Sequence, residues 1–144
     1  MWEAVFRAMM DRFVRGEDVG PSLFFLALRV GGKDKDPRPA FMGRFIDCLA
    51  DDVPAGPPEA PPDAAPQVLK YSRVKWAGGF ITDRRTGRMG TLLRVSSVRG
   101  HRNSQATVGA EWVCHPRAGK RLTYQLAWED ERWVVKCEVV KAVR

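Results

Sequence analysis

The segment from Leu122 to Val143 constrains the fold more than any other stretch. It reads Leu-Thr-Tyr-Gln-Leu-Ala-Trp, then Glu129-Asp130-Glu131-Arg132, then Trp133-Val-Val-Lys-Cys-Glu-Val-Val. Two runs of β-favouring residues alternate apolar with polar and are joined by a short charged break, which predicts a β-hairpin. Side chains on a strand alternate between faces, so Leu122, Tyr124, Leu126 and Trp128 fall together on one side of the first run. The same rule groups Trp133, Val135, Cys137 and Val139 on one side of the second. Such a hairpin needs further strands beside it and a layer over its apolar face.

The covering layer is written near the start. Trp2, Val5, Phe6, Met9, Met10, Phe13 and Val14 recur at three-and-four spacing, opposite Glu3, Arg7, Asp11, Arg12 and Arg15, and the pattern stops at Gly16. This predicts an amphipathic helix. Its polar face carries both signs of charge and its apolar face is wide, which fits core packing better than a membrane surface. Leu23 to Val30 is a short apolar run closed by Gly31-Gly32 and predicts a strand buried on both faces. Asp36-Pro37 resembles a cap followed by a proline in the first turn. A second helix is expected from there to about Ala50, with Phe41, Met42, Phe45, Ile46 and Leu49 on one stripe.

Residues 51–67 are rich in proline and alanine and predict an extended loop, because proline lacks the amide donor that regular structure needs. Beyond it the texture is β. Strands are expected at Leu69 to Val74, Phe80 to Thr82, Met89 to Val98, Ala106 to Cys114, Leu122 to Trp128 and Trp133 to Val140. Ala106, Val108, Ala110, Trp112 and Cys114 alternate with Thr107, Gly109 and Glu111, giving one greasy face for the helices. The fold class is therefore α+β: N-terminal helices packed on a curved antiparallel sheet. With 144 residues, 44% of them hydrophobic, the chain has material for one domain with one core.

The order helix, strand, helix, long loop and antiparallel meander resembles the nuclear-transport-factor-2-like (cystatin-like) fold, a cone closed on one side by helices. The Asp36-Pro37 start with Phe41 and Phe45, the turn Asp83-Arg-Arg-Thr86-Gly87-Arg88-Met89-Gly90, and the final strands with Tyr124 and Trp133-Val-Val135 also resemble a group of small bacterial proteins of uncharacterised activity. That likeness implies a fold and no particular reaction. It also implies a homodimer paired through the outer face of the sheet. Enzymes of similar fold, among them isomerases, dehydratases and epoxide hydrolases, keep an acid or base inside the cone.

Chemistry inside such a cone needs a titratable group on the apolar face, where desolvation can move its pKa. Tyr124 is the polar intruder there, and with Trp112, Trp128 and Trp133 it forms the candidate ligand pocket. The competing reading is a core tyrosine with a backbone partner. Glu111, Lys136, Glu138 and His115 fall on the wetter face, and Asp47 lies off the helical stripe. No carboxylate pair, nucleophile elbow or phosphate-binding glycine loop is present, so no catalytic residue is assigned. The spacing of Cys48, Cys114 and Cys137 matches no metal or redox motif. They are expected as reduced, mostly buried thiols, and neither a cofactor nor a metal is expected.

The formal net charge of +7 makes contact with an anion easy. Alternate turns of a meander lie at one end, so the turn with Arg84, Arg85 and Arg88 is expected beside the turn with Arg117, Lys120 and Arg121. Six cations on one rim predict an anionic ligand or acidic protein partner, against the alternative of ordinary solvated turns. Nucleic acid is disfavoured because aromatics for base stacking are missing beside these turns. The first residues lack the order of a secretory signal, and the longest apolar run is too short to span a bilayer. The expected setting is cytoplasmic. The function expected is a non-catalytic binding or interaction module, with a small-molecule enzyme or a nucleic-acid-binding protein as alternatives.

Overall fold

The amphipathic N-terminal segment folds as α1 (Trp2–Val14), burying Val5, Phe6, Met9 and Met10 on the predicted face. It ends in a Schellman motif. Gly16 sits at φ +77°, a conformation glycine adopts without strain, its amide donates to the Phe13 carbonyl (3.2 Å), and the Glu17 amide donates to the Arg12 carbonyl (2.9 Å). The chain thus doubles back on the last helical turn and sets Asp18 beside the Arg12 side chain. This computed structural model describes residues 1–48 and 66–144; most of the proline- and alanine-rich loop, and the predicted helix end at Leu49 and Ala50, lie outside them.

The main sheet is curved, open and largely antiparallel. It contains β1 (Leu23–Val30), β2 (Lys33–Lys35), β3 (Gln67–Lys70), and the long strands β6 (Thr91–Arg102), β7 (Gln105–His115), β8 (Ala118–Glu129) and β9 (Arg132–Val143). A separate two-stranded ribbon joins β4 (Val74–Ala77) to β5 (Phe80–Asp83). The order across the main sheet is β2-β1-β6-β7-β8-β9, and β3 shares the free edge of β1 with β2. The predicted meander is β6 to β9. The strands beside it depart from the all-antiparallel expectation, because β1 runs parallel to both β6 and β3. The architecture is α+β.

β1 is buried on both faces, as its uninterrupted apolar run predicts. Phe24 and Leu26 face the helices and join Phe6, Met9, Leu93, Val108, Trp112 and Tyr124 in the larger core. Leu23, Phe25 and Ala27 point the other way and meet Leu69, Val74, Ile81, Leu92 and Val113 under the β4–β5 ribbon. The ribbon therefore covers one end of the outer sheet face. No described element covers the rest of that face.

Several local expectations are corrected. The second helix is only a short turn, α2 (Pro39–Met42), continued by a 3-10 segment (Gly43–Cys48), and it begins after Arg38. Asp36 is drawn away from capping because its carboxylate accepts the Ser72 amide at 2.6 Å. Phe41 and Phe45 still reach Phe6, forming an aromatic cluster beneath α1. On β9 the strict alternation breaks. Gln125 pairs with Cys137 but Leu126 pairs with Val135, leaving Lys136 as an extra residue. A bulge of one residue inverts every side chain beyond it. Trp133 and Val135 therefore face the helices as predicted, while Cys137 and Val139 turn outward and are exposed, and Glu138 moves to the helix side opposite Tyr124. No helix among the described residues is long and apolar enough to cross a membrane.

Candidate functional site: an outer-face groove and a buried charge cluster

Two polar constellations lie on opposite faces of the sheet. The helix-side one is centred on Asp18, whose side chain is fully buried. Its carboxylate accepts Arg12 Nε at 2.7 Å and Trp112 Nε1 at 3.0 Å, and it also takes a hydrogen bond from Lys120 Nζ. Arg12 continues to Glu138 at 2.9 Å and to Glu17 at 3.2 Å. Burial pushes the Asp18 carboxyl up, but the hydrogen bonds and charges of Arg12 and Lys120 outweigh it and hold the carboxyl below its ordinary range. A carboxylate so fully supplied with donors is poorly suited to accept a proton from a substrate.

Tyr124 lies next to this cluster, fully buried, and its hydroxyl, which faces the charge of Glu138, meets the geometry of a hydrogen bond with no described residue. Burial, then the negative charge of Glu138, push its pKa well above the usual phenol value. The four residues predicted as a ligand pocket separate into two groups. Trp112 and Tyr124 are filled into the core, whereas Trp128 and Trp133 pair edge to face (5.6 Å) at the far end of the β8–β9 hairpin, with Trp128 exposed.

The outer face holds a groove of about 600 Å³. Strand register explains its shape. Ser96 Oγ donates to the Gly109 carbonyl, and Gly109 pairs with Thr123, so a row of small residues crosses the sheet. At Gly109 a Cβ would come within 2.7 Å of Ser96 Oγ, so glycine keeps this row low. On one side of the row stand Arg99 and Thr107, which pair across β6 and β7; on the other stand Arg94, Glu111 and Arg121, paired across β6, β7 and β8. Arg29 and Lys141 complete the lining. Lys141 arrives there through a second β9 bulge, between the pairs Leu122–Val140 and Arg121–Ala142.

Part of this wall is locked by ion pairs. Arg94 bonds Asp34 at 2.9 Å and Glu111 at 2.8 Å, Arg144 approaches Glu111 at 3.4 Å, and Arg29 lies 3.9 Å from Asp34. Arg99, Arg121 and Lys141 make no hydrogen bond or ion pair with other described residues. The groove thus combines five cations and one carboxylate with the hydroxyls of Ser96, Thr107 and Thr123. Rich in polar donors and, among the described residues, lined by no aromatic side chain, it is built to attract an anion.

The six cations predicted for one rim have different fates. Arg88 is buried and donates to Gln67 Oε1 at 2.9 Å, and Lys120 is committed to Asp18. Arg121 lines the groove, while Arg84, Arg85 and Arg117 are exposed in their turns. The turn holding Arg84 and Arg85 is organised by buried Asp83, which takes two bonds from Arg73 (2.9 and 2.8 Å), one from the Thr86 hydroxyl (2.7 Å) and one from the Arg85 amide (3.2 Å). These partners overcome the upward push of burial and hold the Asp83 carboxyl below its usual range. Aromatics do stand near one basic turn: Phe80 packs on His115 at 4.8 Å, next to Pro116 and Arg117, and Trp76 of the same ribbon is half exposed.

Sequence reasoning missed the groove, although its parts were visible. Thr107, Gly109 and Glu111 were recognisable as a wet face, but which cations stand opposite them depends on cross-strand register and on the bulge at Lys141. It also missed Arg12 and Asp18, for which Gly16 at the helix end is the one local signal. Comparison with protein-family models, with curated proteins and with solved structures found no match.

Proposed function

We propose that this protein is a non-catalytic binding module that holds an anionic ligand in the outer-face groove. The observation that carries this reading is the set of three cations, Arg99, Arg121 and Lys141, that pair with no described residue and surround a floor of small hydroxyl-bearing residues. Unpaired cations on a surface are ordinary, but three of them flanking one depression sum their potentials there. The ion-paired row of Arg29, Asp34, Arg94, Glu111 and Arg144 supports the reading by fixing one wall in advance, which lowers the entropy lost on binding. The saturated state of Asp18 argues against the alternative of an enzyme working from the helix side. Helices on a curved open sheet are compatible with the nuclear-transport-factor-2-like class, in which we place the module. Pairing of two copies across the groove would oppose like charges at Arg99, Arg121 and Lys141, so any homodimer contact is placed elsewhere.

The test is calorimetric titration with tripolyphosphate at low ionic strength. Changing Arg99, Arg121 and Lys141 together to Ser is expected to weaken binding at least about tenfold while shifting the denaturant melt by less than about 0.5 kcal/mol, because exposed charges contribute little to folding. Changing Arg84, Arg85 and Arg117 to Ser is expected to weaken it by less than about threefold, through the loss of general charge alone. Equal losses would move the site to the rim of basic turns. No binding by the unaltered chain would remove the proposal.

A further inference from the structure

Resting on that reading, we propose that the ligand of the groove carries a phosphate group and no aromatic base. The donor inventory separates phosphate from carboxylate. A carboxylate offers two oxygens in one plane, about four acceptor sites, and one negative charge. The groove presents more than that. Arg99 and Thr107 stand on one side and Arg121 and Lys141 on the other, with Thr123 in the Gly109 row between them, and the hydroxyls of Thr107 and Thr123 are engaged with no other described side chain. Residues Thr107 and Glu111 are four apart on β7, so the rows of Arg99 and Arg121 are separated by about 13 Å of strand, a span that two arginine side chains can close over a group seated at Gly109.

A tetrahedral phosphate with three peripheral oxygens and close to two negative charges matches donors converging from both sides and from below. The hydroxyls sharpen the match, since together with three cations they bring more donors than the roughly four acceptor sites of one planar carboxylate can take. The lack of aromatic lining among the described residues speaks against a nucleobase, whose flat face is ordinarily held by stacking. Glu111 is already neutralised by Arg94 and Arg144, so its charge does not veto the anion.

The experiment ranks probes on the unaltered chain at low ionic strength: inorganic phosphate, glycerol phosphate, tripolyphosphate, citrate and adenosine triphosphate. Tripolyphosphate is expected to bind about tenfold or more tightly than citrate, a gap larger than its additional negative charge alone supplies in water, and adenosine triphosphate no more than about threefold better than tripolyphosphate. Whether inorganic phosphate, glycerol phosphate or the chain binds best distinguishes a free phosphate, an ester and a polyphosphate as the source. Replacing Thr107 and Thr123 together by Val, which preserves shape, is expected to weaken tripolyphosphate by about five- to tenfold and citrate by less than about twofold. Citrate as tight as tripolyphosphate would leave a general anion site and overturn the phosphate assignment. A large gain from the adenine base would overturn the base-free assignment, and no binding of any probe would remove the site itself. Should the double variant fail to fold, the ranking on the unaltered chain decides alone.

Discussion

The two faces of the sheet hold the same kinds of side chain and put them to opposite uses. On the helix side Asp18 is buried and accepts hydrogen bonds from Arg12, Lys120 and Trp112, and Arg12 also reaches Glu138. On the outer face Arg99, Arg121 and Lys141 are exposed and pair with no described residue, beside an ion-paired row that holds the wall still. Water decides between these uses. A charge removed from water must be paired within the protein, so the helix-side charges pin the fold. A charge left in water stays available, and such charges affect binding far more than stability.

The largest effect that would break this comparison is at Asp18. Asp18→Ala leaves Arg12 buried without its main partner and is expected to cost about 3 to 5 kcal/mol in a denaturant melt, with anion binding by the remaining folded protein unchanged. A cost under about 1 kcal/mol would show that the helix-side cluster is no more structural than the groove. The pH dependence follows the same residue. Because the folded carboxyls of Asp18 and Asp83 lie below their unfolded values, their stabilisation is complete above about pH 4 and is lost as pH falls through the lowered folded values. Below pH 4 the Asp18→Asn variant should therefore lose stability less steeply than the parent, a difference that acid titration followed by circular dichroism would register.

A middle-sized effect is expected at Trp133, which is half-buried and packs on exposed Trp128 at the hairpin end. Trp133→Ala should cost about 1 to 2 kcal/mol, below the 3 to 5 kcal/mol typical of a fully buried tryptophan. A loss of that larger size would place the hairpin end inside the core. The smallest effect belongs to Tyr124. Its buried hydroxyl has no partner among the described residues, so Tyr124→Phe is expected to be neutral or to stabilise by up to about 1 kcal/mol, since removing an unsatisfied polar group removes its desolvation cost. A clear destabilisation would mean that the hydroxyl bonds to Glu138 in solution.

Much of the fold is legible because periodicity survives translation into three dimensions. The face of α1, the double burial of β1 and the alternation of β7 follow from patterns of 3.6 and two residues, which burial enforces locally. The second helix misled because Asp36 found a better partner in the Ser72 amide, a contact between residues far apart in sequence. The facing of Cys137, Glu138 and Val139 misled because a bulge at Lys136 leaves no mark in the pattern of apolar residues. Among the cations, composition revealed an excess of positive charge without its distribution.

The sequence by itself determined an α+β chain with a charged-turn hairpin, an amphipathic covering helix and a net positive charge, because these depend on neighbours within a few residues. Only the tertiary structure decided which charges are sealed and which stay open. Arg12 meets Asp18 through the turn at Gly16, Lys120 is drawn inward by the same carboxylate, and Arg121 shares a groove with Arg99 and Lys141 through strand register and a single extra residue on β9. Register and bulges are settled by how whole strands pack, since each inserted residue reverses the facing of all that follow it. The fate of a charge is therefore a property of the assembled sheet and not of its own segment.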